Sequence, residues 1–409
     1  MTLPTRWAAL LGATALLAST AQPPQRPQAI ATLWIGSGPF VAGSRISLRA
    51  TGLRPPYDVR LIGPGRLQGD TYFAPDVATP QDARLIAGGA SSLGIAVVRI
   101  VPPPAPTRAL LAVASYDGGV ILHDPTTFAR VAVLGTGGSP SDVAFGPGGS
   151  IGATDTVGND AALVARSPWK TTFVNGVPLG DEIVFDDDGT VFVSNRDVNG
   201  AGALTRIAVD GSVSHLVTGV TAEGLAIDRA RGIVYVGNVN DGTVLAVDAR
   251  TMQSRGRIGA VPRVFGIALS SDGRELYAVA NQSQGSPFQQ PGFVAAISLN
   301  GTSHIVARSA TLRFPLGVAL DPRDARLFVT DESADVVDVL DPATLRAVHA
   351  PLATCLTPWK PYYDAKARRL FVPCARADKV DVFDARTLRR VAGAPFSTGG
   401  YPLAVSSWP

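Results

Sequence analysis

Residues 315–348 read PLGVALDPRDARLFVTDESADVVDVLDPATLRAV, and the pattern of this stretch decides the fold. Three short runs rich in apolar and β-branched residues, 318–320, 327–330 and 336–340, are separated by turns, and a fourth follows at 346–348. Asp and Ser in the turns bond to nearby backbone and Pro fixes φ, so the chain reverses instead of extending. The stretch predicts one four-stranded antiparallel meander.

The unit repeats. Aligned on Gly317, its counterparts are Asp142, Glu182, Gly224, Gly266, Lys360 and Ala404, spaced by 40, 42, 42, 51, 43 and 44 residues. Periods of roughly 40–50 residues belong to the blades of a β-propeller. First strands read DVAF, EIVF, GLAI, GIAL, GVAL, KPYY and LAVS; second strands read ALLAVAS, GSIGATD, TVFVSN, GIVYVGN, ELYAVAN, RLFVTD and RLFVPC. Seven of each make a seven-bladed propeller of four-stranded antiparallel blades. The second strand at 109–114 has no first strand of this type before it, and 403–406 has no partner after it. Pairing the two closes the ring; the alternative is that 94–98 supplies the missing strand.

Third strands often end in Asp with Thr three residues on: Asp124/Thr127, Asp248/Thr251, Asp341/Thr344 and Asp384/Thr387. Asp opening a tight turn accepts backbone N–H groups, so the pair reads as a folding signal and not as catalytic carboxylates.

Through PLGVALDPRDARLFVTDESADVVDVLDPATL and GLAIDRARGIVYVGNVNDGTVLAVD the chain resembles the YVTN-type propeller repeat family, with NHL and gluconolactonase-type propellers as neighbouring resemblances. The resemblance covers about 109–409 and implies a fold more than an activity, because propellers bind very different things.

Ahead of the repeats, 1–21 read as a signal peptide: Arg6, an apolar 7–17, and small residues Ser19, Thr20 and Ala21. That run is shorter than the about 20 apolar residues that span a bilayer, and no later run qualifies. A Pro/Gln linker (22–31) leads into an all-β segment (32–102) that resembles a bacterial Ig-like sandwich, with Trp34 or Phe73 as its anchor. Pro102, Pro103, Pro104 and Pro106 make a stiff spacer through 103–108 into the propeller at 109–409. The expected product is exported, periplasmic or extracellular, and monomeric. Only four Lys accompany abundant Arg, Ala, Gly and Pro, a bias of high-GC bacterial genomes, and the net charge is +3. No basic stripe interleaves with aromatics, so nucleic acid is not an expected partner.

Loops 4→1 and 2→3 of such a meander share one face, over the central channel, and that face is the candidate site. One ring there lies at the start of strand one. Its polar members are Asp142, Asp181, Glu182, Glu223 and Lys360, with Phe265, Leu316, Trp359 and Leu403 in other blades. A second ring ends strand two: Ser115, Asp155, Asn195, Asn238, Asn281, Asp331 and Cys374. These side chains suit turn capping, while Asn195, Asn238 and Asn281 also qualify as ligand contacts. The gluconolactonase resemblance implies that Asp181 and Glu223 are candidate ligands for Ca²⁺ or Mg²⁺, hard cations that take oxygen donors. Ser141, Phe265 and Leu316 depart from that pattern where further oxygen donors would help. The long loop 281–292 (NQSQGSPFQQPG) reads as a lid, a recognition loop or a tolerated insertion.

Cys355 and Cys374, the only cysteines, fall at the same end of adjacent strands, and a disulfide is the default in an exported protein. His123, His215, His304 and His349 lie on third or fourth strands or beyond, toward the rims, and are expected on the surface, away from any triad or metal site. The reading that follows is a non-enzymatic binding or scaffold protein presenting the propeller face to a protein, glycan or small ligand. The alternative is a metal-dependent, lactonase-like hydrolase. A third is a redox-associated propeller resembling quinoprotein heavy chains.

Overall fold

The computed structural model describes residues 32–51, 58–89, 92–196, 202–218, 221–239, 241–259, 261, 263–281, 291–323 and 325–408. The leader 1–21, the linker 22–31 and positions 282–290 of the long loop lie outside the described residues.

Among the described residues the propeller strands fall into seven four-stranded antiparallel units, numbered here as blades 1–7. In blade 1 the C-terminal strand Pro402–Trp408 pairs with Leu110–Ser115, followed outward by Gly119–His123 and Arg130–Leu134. Strands that begin at Val143, Gly180, Ala222, Val264, Pro315 and Tyr362 open blades 2–7. The fold is a β-propeller. The segment 94–98 does not enter the ring: it belongs to Ser92–Val101, which pairs with Gln81–Gly89.

Inner strands are buried on both faces because each blade packs against two neighbours. Gly119–His123 and Val191–Asn195 are buried at every position, whereas outer strands such as Val213–Val217 and Ser254–Ile258 are largely exposed. Apolar clusters fill the seam between every consecutive pair of blades, including the seam between blades 7 and 1, where Phe371, Val380 and Phe396 meet Leu111, Val113 and Phe128. The protein thus has a ring of seam cores in place of one central core, and the axis is left open to polar side chains.

The four Asp-x-x-Thr turns share one geometry. Asp124, Asp248, Asp341 and Asp384 accept the Thr N–H at 2.9, 2.8, 2.7 and 2.7 Å. The residue after each Thr is left-handed: Phe128, Met252, Leu345 and Leu388, with φ of 59, 58, 53 and 58°. Each of these side chains packs into a seam. A left-handed non-glycine residue costs about 1–2 kcal/mol, which burial of a large apolar side chain, worth about 1.5–3 kcal/mol, offsets. In blade 6 the fourth strand differs from the expected one. Residues 346–348 make a single bridge, Leu340 with Ala347, and the pairing strand is Leu352–Ala353.

The N-terminal segment folds as a small β unit around Tyr72, which is fully buried and donates its hydroxyl to the Pro64 carbonyl at 2.7 Å. Trp34 is 41% exposed and Phe73 half-buried, so neither is the anchor: strand alternation turns Tyr72 inward and its neighbour Phe73 out. Phe40–Val41 pairs in parallel with the outer strand of blade 1 and with Ile100–Val101, making one continuous sheet with the propeller. Arg45 reinforces the joint with two hydrogen bonds to Asp160 of blade 2, at 2.9 and 2.8 Å.

Candidate functional site

The first strands of blades 3–6 carry the same irregularity. Pairing with strand two skips two residues: Asp181–Glu182, Glu223–Gly224, Phe265–Gly266 and Leu316–Gly317. Such bulges re-aim side chains out of the ladder, here at the channel mouth. The second residue of each pair approaches the next blade. A Cβ on Gly224 would meet the Phe265 carbonyl at 2.4 Å, and one on Gly266 the Leu316 carbonyl at 2.8 Å. Glycine at these positions permits the inner strands to converge. Thr154, Ser194 and Thr330, each directly before a second-ring residue, tie the junctions: their hydroxyls reach the carbonyls of Asp181 (3.4 Å), Glu223 (2.6 Å) and Trp359 (2.7 Å) in the following blade.

On this frame the polar first-ring residues meet across the channel. Lys360 of blade 7 reaches past blade 1 to Asp142 of blade 2 at 2.7 Å and to Glu182 of blade 3 at 3.2 Å. Asp142 also accepts the Val143 and Ile183 N–H groups at 2.9 and 3.0 Å. Glu182 accepts the Leu225 N–H at 2.7 Å. Asp181, 8% exposed, pairs with Arg196 at 2.7 Å. The Glu223 carboxyl has no hydrogen-bond or ion-pair partner among the described residues, although Arg196 and Arg263 act on it at longer range.

A cavity of about 50 Å³ opens here. Asp181, Glu182, Arg196 and Glu223 form its charged wall; Phe265, Leu316 and Trp359 form its apolar wall, with Lys360 at the join. Burial pushes Glu182 up to about 7, against the pull of Lys360 and with the push of Asp142 and Asp181. Burial likewise pushes Glu223 up to about 8, with Asp181 adding to the rise and Arg196 opposing it. Burial works against the charge on Lys360, but Asp142 and Glu182 outweigh it and hold the ammonium above its ordinary range. Asp181 raises Arg196.

A divalent cation does not fit this arrangement. Asp181 Oδ1 is taken by the Arg196 guanidinium, and among the described residues no group of three His, Cys, Asp or Glu side chains has the geometry of a metal site. Ammonium and guanidinium supply the positive charge that the Ca²⁺ or Mg²⁺ expectation assigned to a metal.

The second ring turns away from the cavity. Asn195, Asn238 and Asn281 are at most 1% exposed and do not line it. Asn195 donates to the Pro178 carbonyl at 2.7 Å and Asn238 to the Thr243 hydroxyl at 3.1 Å, both within their own blades. Asp155 and Asp331 hold backbone N–H groups of the loops around them, Ser139 at 3.1 Å and Phe314 at 3.0 Å. Cys355 and Cys374 form a disulfide beside the segment that carries Trp359 and Lys360. His215, His304 and His349 are exposed, but His123 is buried; it contacts the Phe128 carbonyl at 2.8 Å, and burial pushes it down to about 4. Its strand lies in the blade interior, where the seams leave no solvent-facing side. Arg196 is a site residue that the sequence reading missed. The only signal was a basic residue directly after a strand-two Asn.

No family model matches the chain, and no curated protein does. Solved structures do. The periplasmic gluconolactonase of Pseudomonas aeruginosa matches with a TM-score of 0.57 at 15% identity, over 74% of this chain and 99% of that one. A functionally unknown protein from Desulfotomaculum acetoxidans matches at 0.59 and 14% identity, over 73% and 99%. A streptogramin B lyase matches at 0.53 and 11% identity, over 74% and 93%. At these identities the likeness is one of fold.

Proposed function

We propose that the chain is an exported, monomeric, non-enzymatic binding protein whose channel mouth takes a small ligand. The observation that carries this reading is the ion-paired wall facing Phe265, Leu316 and Trp359 across a cavity. Charges held by fixed partners, as on Asp142, Asp181 and Glu182, are preorganised for recognition. Export is supported by the leader-like sequence of 1–21 and by the Cys355–Cys374 disulfide, a bond that persists in oxidising compartments. We assign the repeats to the YVTN type and the N-terminal β unit to an Ig-like module on the sequence motifs.

One observation favours a second reading, a lactonase-like hydrolase. Glu182 and Glu223 are held near neutrality, where a carboxyl serves as general acid or base. Thermal unfolding in EDTA and then in Ca²⁺, Mg²⁺ or Zn²⁺, with hydrolysis of sugar lactones followed in parallel, separates the two. A ligand at 100 times its Kd stabilises by about 2.7 kcal/mol, a shift of several degrees. The binding reading predicts midpoints unmoved by metal and no turnover. Lactone turnover that disappears in Glu223→Gln would replace it with the hydrolase, and a metal-induced shift lost in Asp181→Asn would restore the metal site.

A further inference from the structure

The cavity has a charge imbalance that names a ligand class, an inference that rests on the binding reading above. Four carboxyl groups converge on the channel: Asp142, Asp181, Glu182 and Glu223. Among the described residues three cations act on them. Lys360 is committed to Asp142 and Glu182, Arg196 to Asp181, and Arg263 lies over the Phe265 ring, 5.9 Å from its centroid, outside the cavity lining. Among the described residues the fourth acid, Glu223, has no direct hydrogen-bond or ion-pair partner, although it lines the cavity together with Asp181. A partly buried carboxyl without a partner among the described residues carries a desolvation cost that an incoming donor would remove.

The remaining walls set the ligand's shape. Phe265 and Trp359 contribute aromatic side chains and Leu316 an aliphatic one to the same lining. Aromatic faces attract cations and pack apolar bodies. A volume of about 50 Å³ holds a few waters or an ammonium group, so a larger body would rest on the lining at the cavity's mouth.

We propose that the channel mouth binds the primary ammonium head of a small organic cation, with Glu223 accepting its hydrogens and the apolar body lying on Phe265, Leu316 and Trp359. Burial holds the Glu223 carboxyl above its ordinary range, so pairing with the ammonium shifts it toward the carboxylate and releases protons to solvent.

Three probes of one shape and different charge test this: 2-phenylethylammonium, 2-phenylethanol and phenylacetate. Each is titrated calorimetrically into the full mature chain at pH 7, in two buffers of different ionisation enthalpy. The ammonium compound should bind at least about tenfold more tightly than the alcohol, release protons, and lose about tenfold or more in Glu223→Gln, the scale of a charge-assisted hydrogen bond. The charge series on the unmodified protein stands even where the variant folds poorly. Equal affinity for the alcohol, tighter binding of phenylacetate, or unchanged affinity in folded Glu223→Gln would overturn the ligand class while leaving a binding channel. No saturable binding by any of the three would overturn both.

Discussion

The two faces of the propeller use carboxylates in opposite ways. On the face of the 3→4 turns, Asp124, Asp248, Asp341 and Asp384 lie half-buried at surface turns, and bonds from backbone N–H groups together with Arg255 at Asp248 and the Thr hydroxyl at Asp341 hold each carboxyl below its ordinary range. Around the channel mouth, burial pushes Glu182 and Glu223 up. Side chains of one chemical class stabilise the fold on one side, and on the other are held at a cost by their neighbours. A group that helps folding explains itself; one that opposes folding calls for another role. That asymmetry is what makes the channel mouth the candidate functional face.

The largest expected effect breaks the costly side. Lys360→Met would leave Asp142, with 5% of its side chain exposed, and Glu182 without their cation. Removing one partner of a buried pair costs about 3–5 kcal/mol, and Lys360's 33% exposure places the loss near the lower end, about 3 kcal/mol. Urea denaturation measures it, and adding Asp142→Asn to the variant should recover part of the loss. Stability unchanged in Lys360→Met would mean that the ammonium does not hold the ring across blade 1.

Next in size is the pH dependence. Glu223 is raised in the folded state, so its contribution to stability is full below about 4.5 and is lost as pH rises toward about 8. His123 runs the other way: lowered to about 4 in the fold, it withdraws stability as pH falls from about 6.5 toward 4. Glu223→Gln should therefore flatten the decline between pH 5 and 8, and His123→Phe should reduce the decline below 6.5. Equal slopes in the variants and the parent, from denaturation at a series of pH values, would place the destabilising groups elsewhere.

How much of this was legible in the sequence follows from range. Repeats, turns and alternation are local, so the meander of 315–348 and its spaced copies could be read directly. The Asp-x-x-Thr caps could be read as folding signals, but their left-handed follower could not: nothing in a run such as DPATL says that Leu345 must enter a seam. The first ring was visible as a set of residues at one repeat position. Which carboxylate meets which cation was not, because Lys360 and Asp142 lie 218 residues apart and meet only when the ring closes. The pairing of Asp181 with Arg196 was hidden for the same reason, since Arg196 sits in a 2→3 loop outside the aligned positions.

The smallest effect tests the favourable side of the comparison. Asp341 accepts the Thr344 N–H at 2.7 Å and the Thr344 hydroxyl at 2.8 Å, at a surface turn, with no ion pair beside it among the described residues. Backbone caps of this kind are worth about 1 kcal/mol, and water takes over part of the lost bonding when the carboxylate is removed. Asp341→Ala should therefore cost about 1 kcal/mol, and Asp341→Asn less, because the amide oxygen still accepts. The turn also has a second fastening, since Leu345 donates its N–H to the Asp341 carbonyl at 2.7 Å and buries its side chain between blades 5 and 6. A cost well above that of Lys360→Met would reverse the comparison: it would make the exposed caps, and not the channel charges, the costly carboxylates to lose.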